Sequence, residues 1–246
     1  MEIINSNWKR IWEKREVTSG AIADLNNKKR VFLELKRLDG FDVVGEGLSY
    51  EALFAQYRET KDMLFKNYNS DSKKSIYEVG CGCGANLFLF ENDGFVTGGL
   101  DYSNKLIDIA GEVLESTDIS CCEAKDIPND KKYDACFANS VFSYFPGEEY
   151  ALHVLTLMNK KARWSLGLID IHDIDKKEDF IAFRKKTVEN YEERYKNLPK
   201  FFYSKQFFLD FAKNNDLEII ITDSNIEGYW NNDFVFNCYF YKRQRG

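Results

Sequence analysis

The sequence predicts an α/β fold: a doubly wound, seven-stranded, mostly parallel sheet with an antiparallel last strand and a helical N-terminal cap. Three observations predict this class. From residue 75 onward, short segments rich in β-branched and aromatic residues alternate with longer segments of helical period. A glycine-rich turn joins the first of these strands to a helix. Residues 1–70, which precede that strand, show helical patterns.

The segment before the first strand predicts three helices. A helix over residues 1–20 places Trp8 and Trp12 on one face. Two interpretations of that face stay open, a lid over a bound ligand and packing against the next helix. A second helix is expected over residues 21–38, and a third begins after the capping residue Ser49 and continues to about residue 67.

The first strand, its turn and its helix form a cradle for a nucleotide. Residues 75–79 read as a buried strand that runs directly into Gly80, Gly82 and Gly84. These glycines permit a tight turn and the close approach of a ligand. Asn86 opens the following helix, whose N-terminus presents free N–H groups, and Asn86 is expected to cap that helix.

The remaining strands alternate with helices until the C-terminal strand pair. Further strands are expected to end at residue 101 and to cover residues 119–122, 133–140 and 165–171, and an antiparallel pair to cover 217–222 and 234–241. Helices are expected over residues 104–115, 148–159, 176–197 and 205–214, the last after the capping residue Ser204. The pattern contains no internal repeat and no clear linker, so it predicts a single domain.

Three acidic positions narrow the choice of ligand, because the glycine pattern alone also fits a dinucleotide fingerprint. Glu78 lies two residues before the first glycine, where a carboxylate suits an ammonium group and sits poorly beside a pyrophosphate. Asp101 ends the second strand, 19 residues beyond Gly82, where an acid can accept hydrogen bonds from both ribose hydroxyls. Asp126 follows the third strand within the segment Ala-Lys-Asp-Ile-Pro.

The order of these motifs resembles the class I S-adenosylmethionine-dependent methyltransferases. The matching pattern is Glu-x-Gly-x-Gly-x-Gly, an acid, Asp-Ile, and Asp-x-x-x-x-Asn-Ser, and it covers roughly residues 70–175. The resemblance implies a Rossmann-like methyltransferase fold, S-adenosylmethionine as cofactor and S-adenosylhomocysteine as product. It also implies three regions within one domain over residues 1–246: a helical cap (1–70), a cofactor-binding core (71–175), and substrate-side helices with the C-terminal strand pair (176–246).

The resemblance also assigns residues to the methionine end of the cofactor. Gly80, Gly82 and Gly84 would line the methionine and ribose parts, and Glu78 would act on the amino-acid end through water or a backbone amide. Asn139–Ser140 would offer backbone oxygens to the ammonium group. Most of these positions lie at the carboxyl ends of predicted strands, where α/β sheets of this kind bind their ligands.

The nucleoside end is assigned to two later segments. By the same resemblance, Asp101 would hold the ribose hydroxyls and Tyr102 would pack against the adenine. Asp126 would accept a hydrogen bond from the adenine amine, with the backbone of Ile127 beside it. Asp126 also fits a turn residue before a proline, and that alternative stays open.

Transfer of an activated methyl group is an in-line displacement that depends mainly on alignment, although an oxygen nucleophile profits from a base. His172 is the predicted base, because it ends the fifth strand and histidine titrates near neutral pH. Tyr144, Asp170 and Asp173 are weaker candidates. The aromatic and amide residues at 229–232 suit a small polar acceptor such as a sugar, although a plain hairpin turn fits them equally.

Composition excludes several classes of function. The net charge is −6 and the pI is about 5.2, which argue against a nucleic-acid surface. Six cysteines with only two histidines do not form a metal-binding pattern, and reduced cysteines indicate a cytoplasmic protein. The sequence shows no signal-peptide pattern and no apolar run of membrane-spanning length. Whether the protein is a monomer or a homodimer stays open.

Other functions remain possible at this stage. A nicotinamide-dependent oxidoreductase shares the glycine pattern, but Glu78 and the segment around Asp126 disfavour it. A non-catalytic adenosyl-binding protein is a second alternative, since fold does not guarantee chemistry. A protein methyltransferase is a third. The fourth strand is not followed by an Asn/Asp-Pro-Pro-Tyr motif, which disfavours amino-group methylation of nucleic acid or glutamine.

Overall fold

A seven-stranded sheet forms the centre of the computed structural model. The structure describes residues 2–45, 47–70, 72–116 and 118–243. For residues 2–6 it describes only the backbone. Met1 and residues 244–246 of the predicted domain therefore lie outside the described residues. The strands are β1 (Ser75–Val79), β2 (Val96–Asp101), β3 (Ile119–Cys121), β4 (Tyr133–Asn139), β5 (Ala162–His172), β6 (Leu217–Asp223) and β7 (Val235–Lys242).

The strand order is β3-β2-β1-β4-β5-β7-β6. The first five strands run parallel to one another, and β7 runs antiparallel to both of its neighbours. This confirms the predicted doubly wound sheet with an antiparallel last strand. The chain reverses its direction of travel across the sheet between β1 and β4, and such a switch point opens a crevice at the carboxyl ends of the strands.

Nine α-helices are described around this sheet. They are α1 (Glu2–Trp12), α2 (Lys28–Leu38), α3 (Tyr50–Leu64), α4 (Ala85–Asn92), α5 (Asn104–Val113), α6 (Glu148–Lys161), α7 (Lys177–Thr187), α8 (Tyr191–Tyr195) and α9 (Lys205–Asn214). Short 3₁₀ turns supplement them. The hydroxyl oxygens of Ser49 and Ser204 accept the backbone N–H of Ala52 and Phe207 at 3.1 and 3.2 Å, so both predicted caps are confirmed.

Three predicted helices are wrong in extent. The first prediction reaches residue 20, but α1 ends at Trp12 and irregular turns follow. The second prediction begins at residue 21, but α2 begins at Lys28, after further turns. The segment 176–197 was expected to form one helix, but it breaks into α7 and α8. Asn190 adopts a left-handed backbone with φ of 53° at this break, a conformation that cannot continue a right-handed helix.

The sheet is buried on both faces, as expected for parallel strands between helical layers. Helices α2–α5 pack against one face, and α6 and α9 pack against the other. The predicted cap is part of this core, because Val31, Phe32 and Leu35 of α2 are fully buried. Ser165 of β5 donates a hydrogen bond to the carbonyl of Leu64 at the end of α3, which fixes the cap to the central sheet.

Two further structural findings bear on function. Within the ranges that the structure describes, no helix is both long enough and apolar enough to span a membrane. In the same ranges, no group of three or more histidine, cysteine and acidic side chains is arranged to hold a metal ion. The cytoplasmic location stays a prediction, and the choice between monomer and homodimer stays open.

Candidate active site

A cleft of about 880 Å³, including space open to solvent, lies at the carboxyl ends of β1, β2 and β4. It occupies the switch point of the sheet, where the topology predicts a ligand site. Its walls contain many of the residues predicted to bind a cofactor: Glu78, Gly80, Gly82, Asp101, Tyr102, Asn139 and Ser140. The structure therefore brings together side chains from three strands that are distant in sequence.

The glycine turn gives this cleft its floor. Gly80 and Gly82 have φ values of 70° and 55°, a left-handed region that favours glycine. A Cβ on Gly80 would lie 2.5 Å from a methyl group of Val141, and one on Gly82 would collide with the carboxylate of Asp39. Gly84, with φ of 83°, starts α4 but is not on the cleft wall. The turn thus requires glycine at all three positions, the first two facing the cleft.

Asn86 does not cap α4, and that prediction is wrong. The cap position is taken by Gly84, and Asn86 is already inside the helix. Its amide instead lines the cleft and links two ionisable groups. The amide nitrogen donates to Glu78 Oε1 at 2.6 Å, and the amide oxygen accepts from Lys36 Nζ at 2.9 Å. Asn86 therefore orients a carboxylate and an ammonium group on the same wall.

Glu78 is the most deeply buried acid of the cleft, with 2% of its surface exposed. Its second carboxylate oxygen, Oε2, has no hydrogen-bond partner among the described residues. Burial raises the pKa of Glu78 to about 8, although the bond from Asn86 and the charge of Lys36 oppose that shift. A buried carboxylate oxygen without a donor is ready to receive one from a ligand.

Asp101 is held by the glycine turn and by its own strand end. Gly82 N donates to Oδ2 at 3.1 Å, and Ser103 N donates to Oδ1 at 2.9 Å. Each carboxylate oxygen can still accept a further bond. Burial raises the pKa of Asp101 to about 6, whereas these backbone N–H groups favour its charged form.

Asp39 is a cleft acid that sequence reasoning missed. It follows α2, and its Oδ1 accepts the backbone N–H of Cys83 at 2.9 Å. Burial raises the pKa of Asp39 to about 6. Lys36, in α2, and Phe41, shortly after it, also line the cleft and were also missed. Their distance in sequence from the glycine motif follows no known pattern, so no specific signal in the sequence indicates that they reach the cleft.

The third acidic segment is placed differently from the first two. The Asp126 side chain is 55% exposed and pairs with Lys125 at 2.9 Å. Ile127 is buried. Neither residue is on the cleft wall, where this segment contributes Glu123 and Ala124. Cofactor contacts for Asp126 and Ile127 therefore stay predictions.

Helix α1 contributes Trp12 to the wall of the cleft. The Trp8 and Trp12 rings contact the Tyr144 ring at centroid distances of 4.8 and 5.9 Å, and Trp12 and Tyr144 both line the cleft. Trp8 Nε1 also donates to the carbonyl of Pro199 at 3.1 Å. Lys9 lies 5.9 Å from the centre of the Tyr102 ring. The helix thus connects the part of the cleft around Tyr102 to Pro199 in the C-terminal region.

Beside the cleft, Asp170 is the centre of a buried polar cluster, the Asp170 cluster, which comprises Ser140, Asp170, Tyr229 and Asn231. Ser140 Oγ donates to the Asp170 carboxylate at 2.5 Å, Tyr229 OH at 3.1 Å, and Asn231 Nδ2 at 3.2 Å. Ser140 and Asp170 both have left-handed φ values, 59° and 63°. Because such backbone is unfavourable for these residues, the surrounding structure must hold both in place.

His172, the predicted base, lies behind this cluster. Its ring is 1% exposed and packs between Phe180 and Phe202, at centroid distances of 5.0 and 5.1 Å. Asn231 Nδ2 lies 3.3 Å from Nε2, and Nδ1 has no partner among the described residues. Burial lowers the pKa of His172 well below its ordinary value, so the imidazole is neutral at neutral pH. The ring is not on the cleft wall.

Comparison with known proteins identifies one domain and one fold. A family profile described as a methyltransferase domain matches residues 77–159. A search of curated proteins finds no significant match. A magnesium protoporphyrin IX methyltransferase from Synechocystis PCC 6803, solved with bound SAM, superposes with a TM-score of 0.56 and 14% identity, covering 98% of this chain and 94% of that one.

Two further solved structures share the fold over nearly their whole length. The plantazolicin methyltransferase in complex with SAH gives a TM-score of 0.61 and 16% identity, covering 98% of this chain and 99% of that one. A geranyl diphosphate C-methyltransferase from Streptomyces coelicolor A3(2) gives 0.59 and 15%, covering 98% of each chain. These similarities extend the fold assignment to the helical cap and the C-terminal strands.

Proposed function

We propose that the protein is a class I S-adenosylmethionine-dependent methyltransferase, since residues 77–159 match a methyltransferase domain. Its cleft would bind S-adenosylmethionine and transfer the methyl group in line to an oxygen atom of a small-molecule or sugar acceptor. The observation that carries the proposal is the pair of buried acids at the ends of adjacent strands. Glu78 and Asp101 face one cleft across a turn that admits no Cβ. An ammonium group and a ribose diol suit these two carboxylates.

The residues present fit the cofactor. Glu78 Oε2 is buried without a donor, and an ammonium group would supply one. Asp101 keeps acceptor capacity on both oxygens after its two backbone bonds. The acids Asp39, Glu78, Asp101 and Glu123 give the cleft an anionic wall, which complements a ligand with a sulfonium and an ammonium centre.

When bound, S-adenosylmethionine supplies a methyl group that its sulfonium sulfur already activates. The protein's own work is therefore to align the acceptor and to exclude water. Trp12, Phe41 and Tyr144 provide apolar surface on the cleft wall beside Ser140. We propose that the acceptor lies between these rings and the Asp170 cluster.

An acceptor hydroxyl must lose its proton, and two groups are candidates to take it. Ser140 reaches the cleft and is hydrogen bonded to Asp170, so the cluster offers a path from the acceptor to a carboxylate. His172 stays the base proposed from the sequence. Its neutral ring can accept a proton, but Asn231 must move aside before an acceptor could reach it.

The acceptor class rests on the residues of this chain. The solved neighbours are named for a porphyrin, for plantazolicin and for geranyl diphosphate, so a shared fold does not select an acceptor. Tyr229 and Asn231 turn inward to Asp170, and Trp230 stacks on Phe183 at 5.7 Å. Hydroxyl and amide groups beside aromatic rings support a small polar acceptor.

Calorimetry with the full-length protein tests the cofactor assignment. We expect S-adenosylhomocysteine and S-adenosylmethionine to bind, NAD to give no heat, and Asp101→Asn to weaken both adenosyl ligands about 10- to 100-fold, because the ribose loses charged acceptors. Asp108→Asn, an exposed acid on α5, is the matched control and should leave affinity within about twofold. Binding of NAD, or no heat from either adenosyl ligand, would refute the assignment.

A second experiment tests which class of acceptor the protein methylates. The protein is incubated with S-adenosylmethionine and with matched sets of sugars, other hydroxylated small molecules and amines, and S-adenosylhomocysteine release is measured. Release with hydroxylated compounds alone supports transfer to oxygen. Release with amines alone contradicts that part of the proposal and leaves the cofactor assignment intact.

A further inference from the structure

Lys36 is the one basic side chain on the described wall of an otherwise acidic cleft. It comes from α2 in the helical cap, outside the segment 77–159 that matches the methyltransferase profile. A lysine on a helix surface normally points its ammonium group into water, because burial of a charge is costly. Lys36 is only 2% exposed, so its position needs an explanation.

The neighbours of Lys36 compensate only part of the cost of burying its ammonium group. Its ammonium group donates to the neutral amide oxygen of Asn86 at 2.9 Å and lies 4.7 Å from the centre of the Phe41 ring. An ammonium group has three donors, and the amide takes one. Burial lowers the pKa of Lys36, whereas the nearby charges of Asp39 and Glu78 favour the charged form.

The amide of Asn86 separates Lys36 from Glu78 instead of letting them form an ion pair. Its nitrogen binds the carboxylate at 2.6 Å, and its oxygen binds the ammonium group. The cleft wall therefore presents a carboxyl group with a free oxygen and an amino group with free donors, held apart by one side chain. A ligand that carries an ammonium and a carboxylate on one carbon atom complements both.

We propose that Lys36 binds the α-carboxylate of the methionine part of S-adenosylmethionine, so that Glu78 and Lys36 together recognise its zwitterionic end. The inference rests on the proposed function, because it concerns the same cofactor. The start of α4 supports it, since the first turn of a helix favours a negative charge and Asn86 belongs to that turn. The helical cap thereby contributes a cofactor ligand as well as packing.

A cycle of one protein change and one ligand change tests this contact by calorimetry. The ligands are S-adenosylhomocysteine and 5′-deoxy-5′-(3-aminopropylthio)adenosine, which keeps the ammonium group and lacks the carboxylate. Lys36→Met, which keeps most of the apolar stem, should weaken S-adenosylhomocysteine about 10- to 100-fold. It should leave the affinity for the carboxylate-free ligand within about twofold, because that ligand has nothing for Lys36 to bind.

Lys29→Met is the matched control. Lys29 lies on the same helix, has a side chain that is 57% exposed and pairs with Glu51, so both ligands should bind its variant as they bind the wild type. Equal losses for both ligands in Lys36→Met, or no loss for either, would overturn the inference. Failure of the wild type to bind S-adenosylhomocysteine would instead refute the proposed function. Circular dichroism of the free variants shows whether each is folded.

Discussion

At the scale of single residues, the site combines unfavourable backbone conformations with side chains whose polar groups are hydrogen bonded. Ser140 directly follows β4 and Asp170 lies within β5, where its pairing with β7 is irregular; both residues are in left-handed conformations. Ser140 N donates to the carbonyl of Ile169 at 2.9 Å. Each such conformation costs about 1–3 kcal/mol for a residue other than glycine. The bonds from Ser140, Tyr229 and Asn231 to Asp170 hold that carboxylate beside the cleft. Because Ser140 also lines the cleft, strain concentrated here supports a functional role for the pair.

Replacement of Asp170 tests whether this cluster takes the proton of the acceptor. We expect Asp170→Asn to lower turnover by roughly 100-fold or more, because general bases contribute about 10²–10⁴-fold. Affinity for S-adenosylhomocysteine should change by less than about twofold, since Asp170 is not on the described wall of the cleft. His172→Gln is the companion variant. If His172 is the base, as the sequence predicts, His172→Gln should lose as much turnover. A loss of turnover in His172→Gln alone would contradict the role of Asp170.

At the scale of elements, the sequence predicted correctly those strand and helix bounds that depend on neighbouring residues in the chain. The bounds of β1 were predicted correctly, because a β-branched and aromatic run meets glycine at its end. The break at Asn190 and the end of α1 were missed, because tertiary contacts and a single backbone conformation decide them. Lys36 and Asp39 were missed for another reason. They reach the cleft only because α2 packs against α4, and no spacing in the sequence encodes that contact.

Helix α1 offers a prediction at this scale, since the sequence left its role open between a lid and simple packing. Trp12 lines the cleft and stacks with Trp8 at 6.4 Å, so a bound nucleoside would contact the helix directly. We expect S-adenosylhomocysteine to slow hydrogen–deuterium exchange of backbone amides in α1 by about tenfold, because the ligand would stabilise the covered state. Exchange in α9, on the opposite face of the sheet, is the internal control. Equal exchange in α1 with and without ligand would leave packing as its role.

At the scale of the whole molecule, the cleft concentrates negative charge in a protein whose net charge is already −6. Burial raises the pKa of Asp39, Glu78 and Asp101, so the free protein holds protons there that an unfolded chain would release. The pKa of His172 lies well below its ordinary value, so this group is neutral above pH 6.5. Burial lowers the pKa of Lys200 to about 8 and also lowers that of Lys36, and both shifts oppose the effect of Glu78 on stability. Between pH 6.5 and 8, Glu78 is the acid whose shift makes stability fall as pH rises.

The free energy of unfolding should consequently fall as pH rises, and bound ligand should offset that fall. The folded state holds the Glu78 proton up to about pH 8 and the unfolded state loses it near 4.5, so stability should fall by about 1–2 kcal/mol from pH 6.5 to 8. Affinity for S-adenosylhomocysteine should rise over the same range by at most about tenfold per pH unit, because its ammonium group binds the charged carboxylate. Urea unfolding and calorimetry at three pH values measure both slopes. Glu78→Gln should flatten the pH dependence of both stability and affinity. Glu149→Gln changes an exposed acid on α6 and should leave both pH dependences unchanged. A stability of the wild type that rises with pH would contradict the burial of a protonated Glu78.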